Sequence, residues 1–231
     1  MLIGNNMRTG VGNSSHTVAL IQSDTTNLST TFTDTSRGGT THTVNRGGVC
    51  THSTARQVFG TTSIATGSGA WLYLSNNADL DTGLGDFTYE TWLYRNNNLA
   101  QNIMSQLTAS PLSDMSMIIS ADAYNRILGY TSPDGTALDY SKTANGSVVA
   151  GRWYHVVFQR NGNICRTYLD GFPSADFENI AYSVHASSED FYIGRFLDGT
   201  QPLRGYLDEI RITKGLAAYP KSGFTVPNRM S

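Results

Sequence analysis

The stretch LRGYLDEIRITKGLAAYPKSGFTVP, residues 203–227, decides the fold, because it reads as a closing strand followed by a docking turn and carries no catalytic motif. Residues 206–212 alternate, with Tyr206, Asp208, Ile210 and Ile212 falling out of simple register around Leu207, Glu209 and Arg211, as a strand packed on both sides does. Gly215 breaks the pattern. Residues 216–219 are too few for a stable helix and are expected to form one turn that lays Leu216 and Tyr219 on the body of the protein, with Phe224 and Pro227 tying down the tail.

Upstream, the stretch FTYETWLY over residues 87–94 puts Phe87, Tyr89, Thr91 and Leu93 on one face and Thr88, Glu90, Trp92 and Tyr94 on the other. Both faces are bulky, so this strand belongs in the middle of a sheet, one face in the core and the other lining a concave surface or covered by loops. Residues 153–160 and 165–169 form a hairpin about Asn161-Gly162-Asn163, and Asp170-Gly171 turns the chain again. Weaker strand signals occur at 18–21, 30–34, 41–44, 59–64, 71–74, 115–120, 127–131, 148–149 and 191–194. Gly67-Ser68-Gly69 is expected to join two of them as a hairpin, and Pro133-Asp134-Gly135 to form a turn. No repeat period emerges, so many short strands without intervening helices leave a β-sandwich or barrel.

The chain of 231 residues suits one large β-domain starting near Thr17, with residues 1–16 as a polar, Gly-interrupted arm and 17–231 as the domain. Charged residues make up 15% and the formal net charge is -2, which supplies no basic field for nucleic acid. No apolar run is long enough to span a bilayer, and the opening MLIGNNMRTG lacks the order of a signal peptide, so folding in a cytoplasm is expected. Cys50 and Cys165 are then expected as free, partly buried thiols, and the Asn-x-Ser sequences at Asn13, Asn27 and Asn145 as polar turns.

Taken in order, GDFTYETWLY, GRWYHVVFQRNGNICRTYLDG, FYIGR and GYLDEIRITKGLAAY resemble the landmarks of the laminin-G-like branch of concanavalin A-like lectin domains. Residues 31–75 resemble the opening of that domain in bacteriophage virion and tail proteins. The resemblance implies an all-β jelly roll of two antiparallel sheets, one concave, with ligands at the concave face or the loop rim. Within it Trp153 and Phe158 are expected as core residues. Related domains hold calcium at the rim with carboxylates and carbonyls. Asp198, in a loop at a pentraxin-like ligand position, and Asp114, on another loop, are the residues that half match, although Arg195, Phe196 and Leu197 stand where oxygen ligands are expected.

Jelly-roll glycoside hydrolases carry their carboxylates at alternate positions on one strand face, and no such run occurs. Glu90 and Trp92 share a face, an acid beside an aromatic as in a sugar site, without a partner carboxylate. Asp208 and Glu209 are neighbours expected to point to opposite faces. The five histidines are scattered, and no nucleophile elbow or metalloprotease motif is present. The expectation is a non-enzymatic bacteriophage virion protein, capsid decoration or tail-associated, that displays a lectin-like jelly roll to other virion proteins or host-surface glycans, as a monomer or homo-oligomer. Alternatives from other classes are a glycan-degrading hydrolase of the same fold and a bacterial surface adhesin.

Overall fold

The computed structural model describes residues 14–67, 69–109 and 112–226. Their regular structure is sixteen strands and a single 3₁₀ turn over Ala78–Leu80. In chain order the strands are β1 (Thr17–Ile21), β2 (Val44–Gly47), β3 (Thr51–Ser53), β4 (Ser63–Thr66), β5 (Trp71–Leu74), β6 (Phe87–Arg95), β7 (Gln101–Ala109) and β8 (Leu112–Ala121). There follow β9 (Ile127–Thr131), β10 (Asp139–Lys142), β11 (Trp153–Asn161), β12 (Ile164–Leu169), β13 (Phe172–Pro173), β14 (Glu178–Asn179), β15 (Phe191–Ile193) and β16 (Gly205–Lys214).

They form two antiparallel sheets. The nine-stranded sheet runs β13-β12-β11-β6-β16-β4-β3, with β1 added to β16 and β14 to β12; the seven-stranded sheet runs β10-β9-β8-β7-β15-β5-β2. The expected all-β jelly-roll sandwich is therefore the observed fold, and one hydrophobic cluster fills the space between its layers. From β6, Phe87, Tyr89 and Leu93 enter that space, where the Tyr89 ring stacks on Phe191 of the facing sheet at 6.0 Å. Cys50 and Cys165 are buried free thiols, each pushed up to about 12 by burial.

The irregular alternation in the closing strand has a definite cause. Asp208 pairs with Trp92 and Arg211 with Glu90, so three steps on β16 match two on β6, and Glu209 takes the left-handed φ of 52°. This bulge shifts the phase, and Leu207 before it and Ile210 and Ile212 after it all reach the core. It lies where β16 changes neighbours, from β4 at residues 205–207 to β1 at residues 210–213.

Several local expectations are corrected. Residues 216–219 form no helical turn; they carry no regular structure, and the Ala218 amide donates to Thr88 Oγ1 and the Tyr219 amide to Gln159 Oε1. Residues 67–69 do not close a hairpin, because β4 and β5 belong to different sheets and the connection crosses between them. Of residues 30–34 a lone bridge from Ile21 to Asp34 remains, because the Asp34 carboxylate itself accepts the Leu20, Ser36 and His42 amides in place of a strand ladder. Residues 14–16 of the expected arm dock on the sheet end, where Lys214 donates to the His16 carbonyl. Residues 1–13 and Pro227 lie outside the described residues.

Candidate functional site

The outer face of the nine-stranded sheet is built by alternation on three central strands. Thr88, Glu90, Trp92 and Tyr94 project from β6, opposite Gln159, Val157, His155 and Trp153 of β11. On the other side Thr213, Arg211, Asp208 and Tyr206 of β16 face them in register. The face divides into a half covered by residues 216–226 and an open half.

Under the tail, Glu90 Oε1 accepts from Arg211 Nε at 2.7 Å and pairs with its Nη2 at 2.5 Å. Its Oε2 accepts the Tyr219 hydroxyl at 2.5 Å and lies 3.1 Å from His155 Nε2. All four side chains are buried. Burial alone raises the Glu90 carboxyl, but the Arg211 guanidinium, helped by His155 and Tyr219, outweighs it and holds the group below its ordinary value. Burial, with the Glu90 charge beside it, pushes the Tyr219 phenol up. The Tyr219 ring stacks on Phe224 at 3.6 Å and, with Val157 and Tyr168, closes the cluster against water. Glu90 therefore does not take the ligand-facing place expected of it. Its exposure is 0% and both its oxygens are held by the fold.

The open half is aromatic. Trp92, half-buried, packs edge-on against Phe59 at 5.5 Å and tilted on His155 at 5.3 Å. One register step away, Tyr206, Tyr94 and Trp153 are direct cross-strand neighbours on β16, β6 and β11. Tyr94 meets Trp153 at 5.6 Å and Tyr206 at 5.9 Å, and all three rings are half-exposed. Ala65 of β4 and Thr51 of β3 continue the row in small residues. The loop from β3 to β4 arches over it, setting the Arg56 guanidinium 5.4 Å from the Tyr94 ring centre. Trp153, expected in the core, thus lies on the outer face, while Phe158 is buried between the sheets as expected. The row was readable for β6 alone; joining Tyr206 and Trp153 to it requires the strand order and register, which are non-local.

Asp208 and Glu209 also depart from simple alternation. At the bulge, Asp208 Oδ1 accepts the Ser23 and Glu209 amides at 3.2 and 2.9 Å, and Gln22 Nε2 donates to both Glu209 oxygens at 3.0 and 2.9 Å. Two adjacent carboxylates are so anchored by two adjacent residues of the first strand's end, and both are buried.

Asp114, expected on a loop, lies within β8, and neither it nor Asp198 fits calcium. Asp114 bonds His185 Nε2 at 2.7 Å and the amide and hydroxyl of Ser188 at 2.9 and 2.7 Å. A calcium site needs further oxygen acceptors, and hydrogen-bond donors stand in their place. Asp198 accepts the amide and hydroxyl of Thr200 within its own turn. Among the described residues no group of three or more His, Cys, Asp or Glu side chains could hold a metal ion. The other sheet's outer face carries a groove of about 420 Å³ with Leu107, Ile118, Tyr130 and Phe196 in its lining.

Among solved structures, the binding domain of Paraclostridial Mosquitocidal Protein 1 superposes with a TM-score of 0.68 at 13% identity, over 90% of this chain and 50% of that one. The binding domain of Botulinum Neurotoxin DC gives 0.64 at 13% identity in its complex with SialylT, over 89% and 49% of the two chains. The same domain in complex with rat synaptotagmin II gives 0.59 at 12% identity, over 87% and 49%. The chain thus spans about half the length of the solved structures it matches, and at such identities the likeness is one of fold. No curated protein matches the sequence. The family model of the concanavalin A-like lectin/glucanases superfamily matches residues 66–216, more than half of the chain, and this protein belongs to that superfamily.

Proposed function

We propose that the chain is a non-enzymatic binding protein of a bacteriophage virion, a capsid decoration or tail component, whose jelly roll holds glycans on the open half of the nine-stranded sheet. The observation that carries this reading is the row Tyr206, Tyr94 and Trp153, three half-exposed rings in register on adjacent strands. The rings meet edge to face along the row, so each presents an apolar face or edge to the CH-rich faces of pyranose rings, and Trp92 extends that surface. The acids of this face support binding over catalysis, since Glu90, Asp208 and Glu209 are all buried and hydrogen-bonded within the fold. The neurotoxin binding domains that share the fold have been captured with SialylT and with a synaptotagmin, so glycan and protein partners are both in keeping with it. The virion setting rests on the sequence resemblance of residues 31–75, with residues 1–15 as the attachment arm.

The test is a glycan array probed with the full chain and with the double variant Trp153→Ala, Tyr206→Ala. Retained signals should fall by about tenfold or more in the variant, while its circular dichroism stays that of the parent. Undiminished binding by a folded variant moves the site elsewhere, and no binding by the parent removes the glycan reading. Finding the chain by mass spectrometry in purified particles, or failing to, decides the virion setting.

A further inference from the structure

We infer that the aromatic row selects anionic glycans, those bearing a carboxylate or a sulfate, through Arg56. The inference rests on the proposed glycan site and adds the ligand's charge to it. Aromatic faces do not discriminate neutral from charged sugars; a guanidinium above them does, because its planar fork matches a carboxylate or sulfate with paired N–H donors.

The placement of Arg56 is what distinguishes it. The Arg56 carbonyl accepts the Ser63 hydroxyl, and Gln57 beside it donates to the Thr54 and Thr61 carbonyls, so the loop is fixed from both ends. The side chain is exposed; its Nη1 donates to the neighbouring Ala55 carbonyl at 2.8 Å, and the guanidinium also engages the Tyr94 hydroxyl. Among the described residues no carboxylate forms an ion pair with it. Other arginines are differently employed: Arg211 is held by Glu90, Arg126 by Asp122 and Arg152 by Asp170, while Arg95 and Arg160 are buried on main-chain carbonyls. Arg56 thus holds an exposed charge, with N–H donors to spare and no carboxylate partner among the described residues, over the middle ring of the row. The chain as a whole carries a net charge of -2, so attraction of an anion is local to this site and not a property of the overall field.

The experiment uses the full chain on an array of matched neutral, carboxylate-bearing and sulfate-bearing forms of the same oligosaccharides, at low and at high salt. An acidic form should bind about tenfold to a hundredfold more tightly than its neutral counterpart, as one charge-assisted contact provides, and the gap should narrow as salt rises. Arg56→Gln should close the gap by weakening the acidic form alone, and Arg56→Lys should restore part of it. Preference for carboxylate over sulfate, or the reverse, identifies the source of the charge. Equal binding of neutral and acidic forms, or a gap that survives Arg56→Gln, overturns the inference and leaves the glycan site standing. Binding of no form overturns both.

Discussion

A carboxylate without exposed surface keeps its charge if the fold supplies a counter-charge, and Glu90 has the Arg211 guanidinium at 2.5 Å. Replacing it with Gln takes away the buried counter-charge of Arg211, so Glu90→Gln should cost about 3–5 kcal/mol in urea unfolding. Since the folded Glu90 titrates below its ordinary value of 4.5, the folded state binds fewer protons there than the unfolded chain. Its stabilisation is complete above that ordinary value and is lost as pH falls through the folded one. Thermal melts taken downward from neutral pH should show the midpoint falling below about pH 4.5, with a shallower fall in Glu90→Gln. Asp114, held down by Ser188 and His185, and Asp134, lowered to about 2 by the Ala137 and Thr136 amides, add to the slope that remains in the variant. A slope unchanged by the substitution would remove Glu90 from this account. That Glu90 and Trp92 share a face was legible, because strand alternation is a local property. That residues 216–226 return to cover Glu90 and leave Trp92 beside an open row was not, because that contact joins segments far apart in the chain.

Turns were legible wherever one residue type was required by the backbone. Asp170 and Gly171 both adopt positive φ, 50° and 81°, as a two-residue hairpin demands, and the Asp-Gly pair announces it. Gly67 and Gly69 suited a hairpin equally well, yet the strands they connect lie in different layers, which no local signal distinguishes. β7 escaped notice because its sequence QNIMSQLTA mixes polar with apolar residues; Gln106 is buried, and its Nε2 donates to Asn76 Oδ1 and to the Glu189 carbonyl. The Asp170-Gly171 turn also anchors the tail, since the Phe224 amide donates to the Gly171 carbonyl at 3.0 Å. A Cβ on Gly171 would meet the Phe224 carbonyl oxygen at 2.1 Å. Gly171→Ala should therefore destabilise by about 1–3 kcal/mol through strain and lost tail packing, read by denaturant titration. Gly171→Asn, which tolerates positive φ, should be nearly as harmful because the same contact remains. A neutral Asn variant would show that backbone conformation alone is at stake.

At the scale of the molecule, the two sheets share one hydrophobic cluster, so neither can melt while the other stays packed. Thermal unfolding followed by near- and far-ultraviolet circular dichroism should give coincident single transitions, and a separate early loss of tertiary signal would mean that the sheets part independently. The fold class was legible from alternation and turn chemistry, whereas the ligand-bearing surface depended on register across β16, β6 and β11. The pairing of β1 with β16 bears on how the domain withstands force. β1 meets β16 antiparallel with Thr17 opposite Thr213, so a pull on the chain before Thr17 loads these hydrogen bonds one after another, in peeling rather than in shear. Beyond Lys214 the chain is fastened across the sheet by Thr88, Gln159 and the stacked Tyr219 and Phe224. A tether at the front of the chain would thus release β1 at low tension, while one at the back must first strip this clasp, making the two ends of the protein mechanically unequal.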